Sequence, residues 1–147
     1  REDRRSVIDH CYLAYFISGM VILIFGVILP NLIEERKFSL IIAHLERFMK
    51  TAGNKEYIEE LMSLPVTIQI NAESLSDWKQ SHTLIKMFKR GQAHILGSDC
   101  HGIHHRPPNL MEGRQILGKK AGEACIRRLD EYGMDLLQQI KNDKMQE

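Results

Sequence analysis

The chain has 147 residues, 44% of them hydrophobic, which suffices for one globular unit with a real core and excludes a chain disordered by composition. Lys and Arg number 20 against 19 Asp and Glu, a net charge of +1, so no nucleic-acid partner is expected and a charged ligand must be caught by a local cluster. Cys11, Cys100 and Cys125 make an odd set without CxxC spacing; this argues against a disulfide framework and a zinc ribbon and fits a reducing, cytoplasmic compartment best.

The first element is the run from 11 to 29, "CYLAYFISGMVILIFGVIL", 19 uncharged residues behind the basic start "REDRR". Its length sits at the lower edge of a membrane span, while the β-rich "VILIFGVIL" equally suits a buried strand of a parallel sheet. The expectation is burial in protein, as a strand and the start of a crossover covering a sheet edge; a membrane anchor is the alternative. Without that cover, an exposed apolar edge would drive homo-oligomer formation or aggregation.

From residue 39 the pattern is regular. "SLIIA" (39 to 43) predicts a strand, "KEYIEELMS" (55 to 63) a helix through Tyr57, Ile58, Leu61 and Met62, and "VTIQI" (66 to 70) a second strand after Pro65. Residues 77 to 90 predict an amphipathic helix with Trp78, Leu84, Ile85, Met87 and Phe88 on or near one face, stopped by Gly91. "AHILG" (93 to 97) is a third strand, and after Pro107-Pro108 residues 110 to 142 read as helix, split near Gly118, Gly122 or Gly133. Such βαβαβ alternation implies an α/β fold with parallel strands and right-handed crossovers, either open or closed into a barrel. No linker or repeat divides the chain, so 1–147 reads as a single domain.

In either architecture the chemistry lies at the carboxyl ends of the strands. There stand His44 after the first, Asn71 after the second, and Asp99 and His101 after the third. Carboxylate and imidazole form a ligand set for a hard or borderline divalent metal. A lone histidine after a strand is more often a hydrogen-bonded surface group; it is the convergence of three positions on one edge that raises the metal hypothesis. Adjacent His104 and His105 cannot both face one way, and Cys100 should point away from its neighbours. His10, His82 and His94 read as structural or exposed. Arg47, three residues after His44, and Arg106, five after His101, suit a phosphate beside a metal, because a guanidinium grips two oxygens at once. The bland alternative is a surface ion pair, for instance of Arg47 with Glu46 or Glu34. No Walker A, GxGxxG or Cys-x5-Arg motif is present.

"IIAHLERF" (41 to 48), "VTIQINAESL" (66 to 75) and "GSDCHGIHHRPPNL" (97 to 110) resemble, in order and spacing, the PHP-type (polymerase and histidinol phosphatase) bacterial tyrosine phosphatases of capsular and exopolysaccharide systems. The resemblance covers about residues 38 to 142. It implies a partial or distorted (β/α)7 barrel and a cluster of divalent metals, Mn foremost with Fe, Mg or Zn as alternatives, that activates water for hydrolysis of phosphotyrosine. His44, Asp99 and His101 would be metal ligands, Arg47 and Arg106 would hold the phosphate, and the implied partner is a phosphotyrosine protein, a polysaccharide-export tyrosine kinase.

Departures are specific. No His-x-His occurs in the chain, Ala14 falls where the family places a metal-binding glutamate, and Leu45 replaces the proline of its AHPER motif. Residues 1 to 37 thus read as a divergent or truncated region before the C-terminal portion of a phosphatase domain. A degenerate, non-catalytic remnant that binds a metal, a phosphoprotein or a membrane is the competing reading.

Overall fold

The structure is a computed structural model that describes Ile33, residues 39–50, 55–102, 104 and 107–145. The run 11 to 29, with its strand or anchor expectation, and Ala14 lie outside the described residues, as do His10, Cys11, His105 and Arg106. No helix among the described residues is long and apolar enough to cross a membrane. Among the described residues the protein is mixed α/β, with a small parallel sheet of three strands whose order in space follows their order in the chain. Two compact units meet at the Thr67–Ile68 bond, inside the central strand.

The first unit contains β1 (Ile41–Ile42), α1 (Leu45–Met49) and α2 (Lys55–Ser63). The Thr67 N–H donates to the Leu40 carbonyl at 2.8 Å, laying the start of the central strand beside the approach to β1. Leu40, Ile42, Leu45, Phe48 and Leu61 are buried; each such side chain contributes about 1.5–3 kcal/mol on leaving water. Helix α2 has the bounds its apolar spacing predicts. The one-turn helix α1 is an element that the sequence pattern does not announce.

The second unit contains most of β2 (Thr67–Asn71), the 3-10 helix Ala72–Leu75, α3 (Ser81–Lys89), β3 (Ile95–Gly97), α4 (Leu110–Ala121) and α5 (Glu123–Met145). β2 pairs with β3 in parallel, Gln69 opposite Ile95 and Asn71 opposite Gly97, as a βαβ crossover requires. Helix α3 buries Leu84, Ile85, Met87 and Phe88 on one face and exposes His82, Thr83, Lys86 and Lys89 on the other. It starts four residues later than the apolar pattern suggests. Asp77 captures the chain first, its carbonyl accepting the N–H groups of Gln80 (3.1 Å) and Ser81 (2.8 Å) and its Oδ1 that of Lys79 (3.0 Å). Trp78 therefore lies outside the helix at 82% exposure rather than on its apolar face.

Helix α4 packs on the 3-10 helix, on α3 and on α5, and both long helices touch β3. The break between them falls at Gly122, at φ +88°, a conformation that L side chains rarely adopt, whereas Gly118 and Gly133 stay inside helices. His94 is structural: its Nδ1 accepts the Ile68 N–H at 2.9 Å, its backbone N–H donates to the Ile68 carbonyl at 3.0 Å, and its ring stacks on Tyr132 at 4.7 Å. Burial holds its pKa below the ordinary histidine value, partly offset by a backbone hydrogen bond at Gly91.

Candidate active site

In the first unit His44 follows β1 by two residues and caps α1 from a left-handed backbone, φ 58° and ψ 37°. That conformation costs most residues about 1–2 kcal/mol, although His and Asp visit it more readily. Glu46, only 1% exposed, places Oε1 4.0 Å from His44 Nδ1. At that separation the carboxylate and the imidazole are charge neighbours rather than hydrogen-bonded partners. Arg47 is half-buried on α1, and its backbone N–H donates to the His44 carbonyl at 2.9 Å.

In the second unit Asp99 follows β3 by two residues and has the same left-handed sign, φ 50°. Backbone strain of this kind persists where surrounding structure enforces it and gathers at functional positions. Asp99 Oδ1 lies 3.3 Å from His101 Nε2, the carboxylate 15% and the imidazole 58% exposed. Cys100 between them turns away, its Sγ 3.9 Å from the Gly102 carbonyl and its N–H donating to Ser98 Oγ at 3.3 Å. His104 is exposed, and so is His82.

Asn71 closes β2 at 3% exposure, with Oδ1 accepting the Gln69 amide at 3.1 Å. Thr67, Gln69 and Asn71 form a buried polar row on one face of β2, while Ile68 and Ile70 form an apolar row on the other. Gly97, opposite Asn71, leaves room for the Gln69 amide; a Cβ there would collide with it. Residue type alone singles out Asn71 but misses Glu46 and Gln69. The signals that could have found them are a glutamate two residues after a candidate ligand and the period-2 polarity of "VTIQIN".

The donor types fit a divalent cation, and two of the three candidates already stand side by side. Among the described residues no three His, Cys, Asp or Glu side chains gather closely enough to hold a metal ion. One ion takes about four to six donors, more than the Asp99–His101 pair offers.

Residues 30–137 match the family described as "Capsular polysaccharide synthesis, CpsB/CapC". The chain belongs to the CpsB/CapC family. Among curated proteins, this CpsB/CapC chain is 30% identical over 97 residues to "Tyrosine-protein phosphatase CpsB" of Streptococcus pneumoniae, covering 60% of this chain and 40% of the relative. It is 28% identical over 97 residues, with the same coverage, to the protein of that name from Streptococcus agalactiae serotype III (strain NEM316). The chain spans about 40% of the length of the curated relatives it matches. No solved structure matches it. Every candidate, His44, Arg47, Asp99, His101 and Arg106, falls inside the segment shared with CpsB/CapC proteins.

Proposed function

We propose that the chain is the C-terminal portion of a metal-dependent protein-tyrosine phosphatase that acts on a phosphotyrosine protein of polysaccharide biosynthesis or export, a tyrosine kinase of that system, in the cytoplasm. The single observation that carries the reading is the left-handed corner after β3, which sets Asp99 3.3 Å from His101 within the CpsB/CapC segment. The parallel βαβ unit is compatible with one part of a distorted (β/α)7 barrel of PHP type.

In this reading His44, Asp99 and His101 contribute ligands to a divalent metal, Mn foremost, with the Glu46 carboxylate beside His44. When bound, such an ion polarises the phosphoryl oxygens and lowers the pKa of the attacking water. Arg47 and Arg106 hold the equatorial oxygens in their planar forks and neutralise the charge that builds during in-line displacement. Water adds to phosphorus as the bond to the tyrosyl oxygen breaks, releasing inorganic phosphate and a phenol.

Phosphate release from a phosphotyrosine peptide is expected to rise with Mn and vanish with chelator. Asp99→Ala should lose metal first, while Arg106→Ala should keep the metal and weaken phosphate binding. Turnover that survives chelation, or that depends on Cys100, would overturn the mechanism; equal metal loss in both variants would make Arg106 structural.

A further inference from the structure

Trp78 is the only tryptophan of the chain and stands 82% exposed. A large apolar ring left in water on a rigid loop is the form an anchor for a binding partner takes. Rigidity here comes from Asp77, which accepts three backbone N–H groups and, through Oδ2, the Gln80 amide at 3.0 Å. The loop leaves the carboxyl end of β2, and β2 runs parallel to β3, so Trp78 belongs to the same sheet edge as Asn71 and Asp99.

The segment that follows the ring carries one sign of charge. Lys79 Nζ lies 5.7 Å from its centroid. No acidic residue occurs between Trp78 and Ser98, while Lys79, Lys86, Lys89 and Arg90 do. His82, Lys86 and Lys89, at i, i+4 and i+7, share the exposed face of α3, and Lys120 from α4 reaches Ser81 Oγ at 3.3 Å, adding a cation at the head of that helix. Between β2 and the ring the acids are Asp77, committed to the loop, and Glu73, exposed on the 3-10 helix.

We propose that Trp78, with the basic face opening at Lys79 and running through Lys86, binds the polypeptide that flanks a phosphotyrosine and prefers acidic flanking residues. The indole would take an apolar or aromatic side chain of the segment, and the ammonium groups its carboxylates. This rests on the reading of the chain as a phosphotyrosine phosphatase. An anionic membrane surface could use the same residues, but the position of Trp78 at the sheet edge that carries Asp99 favours a peptide.

Because no second indole interferes, the emission of Trp78 reports the surface directly. The full chain in Mn-containing buffer is titrated with a peptide bearing a non-hydrolysable phosphonate analogue of phosphotyrosine between glutamates, and with the same peptide between serines. The glutamate peptide is expected to shift the emission to the blue and to bind about tenfold more tightly at low salt. Lys79→Glu combined with Lys86→Glu should erase that preference, and inorganic phosphate alone should leave the emission unmoved. Equal affinity for the two peptides, binding seen by calorimetry without an emission shift, or no binding of either would overturn the proposal. So would a shift with phosphatidylglycerol vesicles but none with peptide, which would make the surface a membrane contact. Phosphate release from the hydrolysable peptide is read alongside. An emission shift without release removes the phosphatase reading and leaves the surface; release without a shift overturns the surface alone.

Discussion

Gly113→Ala sets two effects of known size against each other. Gly113 is buried in α4, where a Cβ would stand 2.6 Å from the Ala72 Cβ and 2.9 Å from the Ala72 Cα. Carbon atoms pack at about 3.5–4.0 Å, so α4 and the 3-10 helix must part by about 1 Å, and overpacking of that order costs about 1–3 kcal/mol. Alanine returns about 1 kcal/mol of helix propensity. Gly133 in α5 isolates the second effect, since a Cβ there meets nothing within 4 Å. Gly133→Ala should therefore stabilise by about 1 kcal/mol, and the two alanine variants should differ by about 1–3 kcal/mol, roughly 3 °C in Tm per kcal/mol for a chain of this length. Urea unfolding of both, side by side, measures the difference. Adding Ala72→Gly to Gly113→Ala should recover part of the loss, only part because the Ala72 Cα remains in the way. Equal stability of the two alanine variants would refute the close approach of α4 to the turn that follows Asn71.

Three further outcomes are expected. Glu46→Gln should leave the fold intact and weaken metal binding about 10- to 100-fold, the usual cost of losing a residue that supports a ligand; metal titration of the two proteins checks it. His94 titrates below its ordinary value because it is buried. The unfolded chain thus takes the proton first: its contribution to stability is fully present above about pH 6.5 and is lost as pH falls through the folded value, and urea midpoints at about pH 7.5 and 5.5 should show that slope shrink in His94→Gln. Arg114 bridges α4 to α5 by donating from Nη1 and Nη2 to Asp130 at 2.5 and 2.8 Å, and this bond lowers the Asp130 pKa and raises that of Arg114. Because the Asp130 side chain is 51% exposed, Asp130→Asn should cost no more than about 1 kcal/mol, a loss that disappears in high salt and as pH falls through the lowered carboxylate value, as denaturant midpoints would record.

Strongly periodic segments were legible in the sequence. Helix α2 follows from its apolar spacing, and β2 is displaced by one residue from the predicted run. The βαβ order and the placement of His44, Asn71, Asp99 and His101 at strand ends follow from the same pattern. Three glycines were equal candidates for the break between α4 and α5, because sequence does not reveal which one the chain needs at positive φ; Gly122 is that residue. The start of α3 departs from the apolar pattern because Asp77 competes locally for the N–H groups that a helix would use. Gln69 and Glu46 went unseen since a buried polar residue is recognised by its partner, which only the fold supplies.

The double character of β2 has a consequence for folding fidelity. Both of its faces are buried, one lined by Thr67, Gln69 and Asn71 and the other by Ile68 and Ile70. A strand slipped by one residue exchanges its two faces. For an all-apolar strand such a slip would cost little, as isoleucine would replace isoleucine. Here it would carry the Gln69 and Asn71 amides into the apolar layer without partners, at about 1–3 kcal/mol for each unsatisfied group, and would take the Gln69 side chain away from the gap that Gly97 leaves for it. The polar row thereby acts as a register key, so that the alignment which places Asn71 at the end of β2 is the one the strand can adopt without an energetic fault.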